Sequence, residues 1–134
     1  AEKGKGAYMH GRPMHVSQEA QLSTSLIATG FPANRDNAAR NLKGITILQP
    51  KVRNIRMAGS AALHLAYLAA GRISGYFEYG LSVWDMAAGT LLVTESGGKV
   101  TDAKGRPYTL SVRNLVCTNG HIHEDVLGEL QGLE

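Results

Sequence analysis

The sequence predicts an α/β domain in which a mainly parallel sheet is flanked by helices. Short apolar runs typical of strands alternate along the chain with helical segments of about a dozen residues. The chain has 134 residues, of which 43% are hydrophobic and 19% are charged, so it can bury the core of one domain. It contains no internal repeat and no low-complexity segment.

The N-terminal third begins with a predicted hairpin. Residues 7–10 and 12–16 alternate around a Gly-Arg-Pro turn, which indicates two short antiparallel strands. Residues 23–30 predict a strand that ends in a Gly-Phe-Pro turn. Residues 35–48 predict a helix, which ends before Pro50 because proline cannot continue a helix.

The rest of the chain continues the alternation. Residues 52–57 predict a strand, and the small-residue run 61–70 predicts a helix that Gly71 stops. The remaining elements are predicted as strands at 73–79, 99–102 and 114–118 and as helices at 84–95 and 121–130.

Composition excludes several classes of protein. The formal charge is +3, and the basic residues are scattered apart from a cluster at 51–56, so a nucleic-acid-binding surface is not expected. Cys117 is the only cysteine, which excludes an internal disulfide and a thiolate zinc site and predicts a small buried side chain. No apolar stretch is long enough to span a bilayer, and a cytoplasmic protein is expected.

Two strand-to-helix junctions, at 56–62 and 78–85, are the candidate functional segments. A helix N-terminus has free N–H groups and a partial positive charge, which favour an anion. Gly59 allows a phosphate or hydroxyl group to approach the backbone, and Ser60 can bind a ligand. The alternative is an ordinary cap followed by small residues that pack tightly.

The second junction contains two carboxylates. Asp85 can be an oxygen ligand of Mg²⁺, or it can be the N-cap of the helix that follows. Glu78 can accept hydrogen bonds from a polyol, or it can be a solvated strand residue.

Other chemistries have little support. His121 and His123 diverge on a helix and are expected to be exposed, so they do not predict a metal pair. His10, His15 and His64 lack a nucleophile or carboxylate at an informative spacing, and His64 is expected to be a partly buried packing residue. The sequence has no nucleophile elbow, Walker loop or dinucleotide fingerprint.

Several motifs occur together in one order along the chain. The longest is Trp84-Asp85-Met86-Ala87-Ala88-Gly89-Thr90-Leu91-Leu92-Val93-Thr94-Glu95-Ser96-Gly97-Gly98. It is preceded by Gly4-Lys5-Gly6-Ala7-Tyr8, Thr29-Gly30-Phe31-Pro32, Arg56-x-x-Gly59-Ser60-Ala61-Ala62 and Glu78-Tyr79-Gly80-Leu81. Taken together, these motifs resemble the C-terminal half of the inositol monophosphatase family, in its bacterial form.

The resemblance implies a fold and a reaction. The fold would be the C-terminal domain of the inositol monophosphatase and fructose-bisphosphatase type, and the reaction would be hydrolysis of a phosphate monoester by a Mg²⁺-activated water. Asp85 would be the catalytic metal ligand, Gly59, Ser60 and Ala61 would contact the substrate, and Glu78 would accept hydrogen bonds from its hydroxyls. The resemblance also implies a homodimer, with Arg56 near the subunit contact.

The sequence departs from the family pattern in two respects. The family's Asp-Pro-apolar-Asp-Gly-Thr loop and its upstream Glu-Glu pair do not occur, so residues 1–134 are expected to be one domain that lacks the N-terminal metal-binding half. The isolated chain is therefore expected to be inactive and to need that half as a partner. Position 64 is His where many relatives carry Asp.

Two functions stay open at this point. The first is the C-terminal domain of a phosphatase, whose substrate is inositol 1-phosphate or a similar polyol phosphate. Histidinol phosphate, fructose 1,6-bisphosphate and nucleotide 3′-phosphates are further substrates of this scaffold. The second is a non-catalytic module for assembly or partner binding, with residues 51–56 as a contact surface.

Overall fold

A mixed five-stranded sheet lies at the centre of the chain in a computed structural model, which describes residues 1–133. The strands are β1 (Tyr8–Met9), β2 (Arg12–Pro13), β3 (Leu26–Ala28), β4 (Asn54–Arg56), β5 (Gly75–Tyr79), β6 (Lys99–Asp102) and β7 (Asn114–Thr118). The helices are α1 (Arg35–Leu48), α2 (Ala61–Ala69), α3 (Val83–Glu95) and α4 (His123–Leu130).

The predicted order of elements is confirmed, and the differences are at element ends. The bounds of α1, β6 and β7 agree with the prediction. The strand predicted at 23–30 is shorter, because residues 22–24 form a 3₁₀ turn in which the hydroxyl of Ser25 donates to the carbonyl of Gln21 at 2.6 Å. The hairpin formed by β1 and β2 is confirmed and is also shorter than predicted. Its turn is not the predicted Gly-Arg-Pro segment, because Arg12 and Pro13 form β2 and the turn lies at His10 and Gly11.

The strand order of the sheet is β4-β3-β5-β7-β6. β3 is parallel to both β4 and β5, whereas β7 is antiparallel to β5 and to β6. Four of the five strands therefore run in one direction, as a mainly parallel sheet requires, and β7 makes the sheet mixed. The connection from β6 to β7 is a turn, in which the carboxylate of Asp102 accepts from the backbone of Lys104 and Arg106, and not a crossover helix.

Helices cover both faces of the sheet, and the side chains of β5 show how the faces are divided. Tyr76 lies in the core cluster on the α2 and α3 side, whereas Phe77 and Tyr79 lie in the cluster on the α1 and α4 side. Because successive residues of a strand point to opposite faces, Glu78 shares the face of Tyr76. Glu78 is therefore carried towards α2 and α3.

Cys117 is buried, as predicted, and burial raises the pKa of its thiol. It packs in the cluster between the sheet and the helices α2 and α3. Within residues 1–133, the structure has no helix that is long and apolar enough to cross a membrane.

Candidate active site

A cleft of about 310 Å³ lies where β5 and the segments that follow β3 and β4 meet the first turns of α2 and α3. Ligands of open α/β sheets bind in this position, outside the carboxyl ends of the strands. The cleft is lined by Gly30, Phe31, Gly59, Ser60, Ala61, Ala62, Glu78, Leu81, Trp84 and Asp85. All five residues that the sequence suggested for a site are therefore brought together.

The first wall of the cleft is the N-terminus of α2. Ser60 is its N-cap, and the Ser60 hydroxyl accepts a hydrogen bond from the backbone N–H of Leu63 at 3.2 Å, so the capping alternative is confirmed for this residue. Gly59 has a φ of +79°, which a residue with a side chain rarely adopts, and a Cβ there would meet no atom within 4 Å. Glycine is needed here for its conformation, and it leaves the turn open to the cleft.

The second wall is the N-terminus of α3. Ser82 is the N-cap, and Oδ2 of Asp85 accepts a hydrogen bond from the backbone N–H of Ser82 at 2.9 Å. The interpretation of Asp85 as the N-cap is therefore wrong, because Asp85 lies three residues into the motif and forms a capping box with Ser82. This bond fixes the half-buried carboxylate of Asp85, which lines the cleft.

Glu78 forms the floor of the cleft between these two helices. Its side chain is 8% exposed, so the alternative of a solvated strand residue is wrong. The hydroxyl of Tyr76 donates a hydrogen bond to Oε1 of Glu78 at 3.1 Å. Gly30 makes room for the carboxylate, since a Cβ at that position would lie 2.3 Å from Oε1.

The electrostatics of the cleft are set by two neighbouring carboxylates. Burial raises the pKa of the Glu78 carboxyl, the hydrogen bond from Tyr76 opposes that shift, and the charge of Asp85 adds to it. Burial, and then the charge of Glu78, raise the pKa of the Tyr76 hydroxyl, so Tyr76 stays a hydrogen-bond donor. The cleft thus combines acceptors for hydroxyl groups with two helix N-termini that attract an anion.

A complete metal site is not formed by residues 1–133, in which no three His, Cys, Asp or Glu side chains lie close enough together to hold an ion. Asp85 provides a hard oxygen ligand of the kind that Mg²⁺ uses, together with waters and substrate phosphate. The donor present therefore fits Mg²⁺ as one ligand of a larger set.

The two histidines near α4 do not form a metal pair. His121 is exposed, but His123 is fully buried, so the expectation that both are exposed is wrong for His123. The ring of His123 is hydrogen-bonded on both sides by threonine hydroxyls and is not available to a metal.

Three residues near the cleft were not selected from the sequence as site residues. Tyr76 lies two positions before Glu78 on one strand, so the alternation of β5 could have paired them. Gly30 approaches Glu78 only in the folded sheet, which no local pattern encodes. His64 is 2% exposed, more buried than a partly buried packing residue, and its Nε2 accepts a hydrogen bond from the backbone N–H of Ala58 at 2.9 Å.

Comparison with known proteins agrees with the family that the sequence motifs resemble. A model of the inositol monophosphatase family matches residues 1–133. The chain belongs to this family. Its relatives include the inositol-1-monophosphatase of Rhizobium meliloti, which is 44% identical over 91% of this chain and 46% of that protein. The Nus factor SuhB of Pseudomonas aeruginosa is 42% identical over 98% of this chain and 49% of that protein.

Solved structures of inositol monophosphatase family members have the same fold. The extragenic suppressor protein suhB of Bartonella henselae superposes with a TM-score of 0.91 at 39% identity, over 98% of this chain and 51% of that one. The inositol monophosphatase of Anabaena superposes with a TM-score of 0.90 at 40% identity, over 95% of this chain and 52% of that one. The chain spans about half the length of the curated relatives it matches.

Proposed function

We propose that this chain is the C-terminal domain of a Mg²⁺-dependent phosphate-monoester hydrolase that acts on inositol 1-phosphate or a similar polyol phosphate. The observation that carries the proposal is the convergence of two helix N-termini and two carboxylates in one cleft of about 310 Å³. A phosphate group fits the helix termini, and a polyol fits the buried acceptor.

Each residue has a role in this proposal. The turn at Gly59, Ser60 and Ala61 binds the phosphate group through backbone N–H groups and the open space that Gly59 leaves. Glu78 accepts hydrogen bonds from hydroxyl groups of the substrate, and Tyr76 holds the Glu78 carboxylate in place from below. Asp85 is the catalytic metal ligand, fixed by its bond from Ser82.

The metal requirement makes the chain dependent on a partner. When bound, Mg²⁺ supplies an activated water and neutralises charge on the phosphate. Mg²⁺ dehydrates reluctantly, so a single carboxylate with waters holds it only weakly. We propose that further ligands come from an N-terminal half of the enzyme, and that residues 1–134 alone neither bind catalytic Mg²⁺ at physiological concentration nor turn over substrate.

The test measures inorganic phosphate released from inositol 1-phosphate in millimolar Mg²⁺. The chain is assayed alone and fused to the N-terminal half of the Rhizobium meliloti inositol-1-monophosphatase. Asp85→Asn keeps the shape of the side chain and an acceptor for Ser82, but it removes the charge that a metal requires. Asp125→Asn is the matched control, because Asp125 is also an acidic residue in the first turn of a helix but is exposed and lies outside the cleft.

The proposal expects turnover only in the fusion. We expect Asp85→Asn to abolish it and Asp125→Asn to leave it unchanged. Turnover by the chain alone that is lost in Asp85→Asn would contradict the need for a second half. Micromolar binding of Mg²⁺ to the chain alone, measured by titration calorimetry, would contradict it as well.

The second candidate is a non-catalytic module for assembly or partner binding. Its support is the name Nus factor, which three of the relatives carry. The basic segment 51–56 is a weaker contact surface than its sequence indicates, because Lys51 forms an ion pair with Glu129. A fusion that folds, binds a protein partner and releases no phosphate would favour this candidate.

Two further features belong to the proposal. We propose a homodimer from the family resemblance, with Arg56 near the subunit contact. We propose a cytoplasmic location from the single cysteine, which is free.

Trp84 provides a signal for ligand binding. It is the only tryptophan of the chain, is 80% exposed and lines the cleft, so we expect its fluorescence to change when a ligand binds.

A further inference from the structure

His64 is a buried polar side chain whose hydrogen bonding is half complete. It lies in the first turns of α2, and its ring reaches back so that Nε2 accepts from the N–H of Ala58 at 2.9 Å. A nitrogen that accepts carries no proton, so the neutral ring has its proton on Nδ1. Nδ1 is buried and has no hydrogen-bond partner among residues 1–133.

An unpaired buried donor lowers stability, and most buried polar groups in folded proteins are paired. Burial lowers the pKa of His64, which keeps the ring neutral. An apolar side chain of similar size would fill the same space without this cost. The retained bond to Ala58 is therefore the feature of His64 that needs an explanation.

The bond acts on the segment that enters the cleft. Ala58 precedes Gly59, whose positive φ turns the chain into the N-cap at Ser60. Among the backbone N–H groups of residues 57–59, that of Ala58 donates to His64. The other two make no hydrogen bond within the part of the chain that the structure describes. The bond from Ala58 to His64 fixes the turn that leads into Gly59 and Ser60, which line the cleft.

The same ring also contacts the tyrosine that holds the floor of the cleft. Its centroid is 5.2 Å from that of Tyr76, whose hydroxyl donates to Glu78. One side chain thus contacts both the turn proposed for the phosphate group and the tyrosine that holds the proposed polyol acceptor.

We propose that His64 is a positioning residue of the cleft, which holds the Ala58–Gly59 turn through Nε2 and supports Tyr76 through its ring. This inference deepens the proposed function and rests on it. In this role, His64 aligns the backbone N–H groups at the N-terminus of α2 with a phosphate group. An apolar side chain at this position would only fill space.

Two substitutions separate positioning from packing. His64→Gln keeps an acceptor, because Oε1 of glutamine lies the same number of bonds from Cα as Nε2. His64→Leu keeps an apolar side chain of similar bulk and removes the acceptor. Circular dichroism and cooperative unfolding first establish that both variants fold.

The first measurement is amide hydrogen exchange in the chain alone, which requires no activity. We expect His64→Leu to speed exchange at Ala58 by about five- to tenfold and His64→Gln to change it by less than about twofold. An unchanged exchange rate in His64→Leu overturns the inference.

The second measurement is the kinetics of the fusion described above. We expect His64→Leu to raise KM for inositol 1-phosphate by about five- to tenfold with a smaller change in kcat, and His64→Gln to restore KM. Faster exchange at Ala58 with an unchanged KM overturns the inference, because the bond then serves stability alone. A folded wild-type fusion without turnover overturns the proposed function and the substrate role of His64 together, and the exchange data still decide whether His64 holds the turn.

Discussion

Two buried histidines on opposite sides of the molecule differ in how their rings are satisfied. His123, at the start of α4, is 0% exposed and has partners on both nitrogens, Thr118 on Nδ1 at 2.9 Å and Thr101 on Nε2 at 2.8 Å. His64, beside the cleft, is bonded on Nε2 alone.

The partners also assign opposite tautomers. Because the single hydroxyl proton of Thr101 is donated to the carbonyl of Asp102, Nε2 of His123 carries a proton and donates to Thr101. The hydroxyl of Thr118 accepts from the backbone N–H of Gly120 and donates to Nδ1 of His123, so both ring nitrogens of His123 have a hydrogen-bond partner. His64 carries its proton on Nδ1 instead. The complete hydrogen-bond network of His123 stabilises the fold. The unpaired Nδ1 of His64 lowers stability, and because His64 lies beside the cleft, this cost indicates a role in the site.

Replacing each histidine by leucine gives the largest expected difference. His123→Leu removes two hydrogen bonds and leaves buried threonine groups without partners, so we expect a loss of about 3–4 kcal/mol in the free energy of unfolding. His64→Leu removes one bond but also an unpaired donor, and we expect a loss below about 1 kcal/mol. Urea unfolding at neutral pH measures both. Equal losses of unfolding free energy in the two variants would show that the two histidines do not differ in their contribution to stability.

The pH dependence of stability sharpens the same comparison. Burial lowers the pKa of His123 from 6.5 to about 4, so between these values the unfolded state binds more protons than the folded state. The stabilisation is complete above about pH 6.5 and is lost as the pH falls through about 4, by roughly 3 kcal/mol in total. Urea unfolding at intervals across this range measures the slope.

His123→Leu is the control for that slope. It removes the titrating group, so stability should fall less steeply between about pH 6.5 and 4 than in the wild type. The raised pKa of Glu78 contributes a slope of stability against pH that is opposite in sign to that of His123, and the lowered pKa of His64 contributes one of the same sign. Both contributions are the same in the wild type and in His123→Leu. Parallel curves for wild type and variant would mean that His123 is not the group responsible.

Two helix glycines, one on each face of the sheet, test whether the cleft depends on helix spacing. A Cβ on Gly89 of α3 would lie 2.5 Å from Cδ1 of Leu65 in α2, and a Cβ on Gly44 of α1 would lie 2.6 Å from Cε2 of Phe77. Either Gly→Ala change overpacks the core and should cost about 1–3 kcal/mol. Only Gly89→Ala separates the two helices that form the cleft.

The readout is binding of inositol 1-phosphate to the fusion, measured by tryptophan fluorescence without Mg²⁺ so that no substrate is turned over. We expect Gly89→Ala to weaken binding and Gly44→Ala, with a similar loss of stability, to leave it unchanged. Equal weakening in both would show that binding follows general stability and not the spacing of α2 and α3.

Local patterns predicted most of the elements and the members of the site, but not their contacts. Pro50 marked the end of α1, and the Gly-Ser and Trp-Asp junctions identified Gly59, Ser60, Glu78 and Asp85, which line the cleft. The burial of Glu78 could not be predicted, because the space for its carboxylate is left by Gly30, which follows β3 and is distant in sequence. The roles of the two histidines depend on partners such as Thr101 for His123 and Ala58 for His64, which single-sequence reasoning cannot assign.

Gly30→Ala is expected to change stability less than the substitutions of His123 and of the helix glycines, but its consequence for the site is direct. A Cβ there would lie 2.3 Å from Oε1 of Glu78, which is the flexible end of a side chain, so the carboxylate moves aside, and the loss of its bond from Tyr76 should cost about 1 kcal/mol. The displaced carboxylate loses its bond from Tyr76, and inositol 1-phosphate should bind more weakly in the fusion while inorganic phosphate binds as before.

Gly128→Ala is the matched control, because a Cβ on that helical residue meets nothing within 4 Å and should add about 0.5–1 kcal/mol of stability without changing binding. If Gly30→Ala weakened both ligands equally, Glu78 would not be the group that distinguishes a polyol from its phosphate, and the division of the cleft into a phosphate wall and a hydroxyl-binding floor would be wrong.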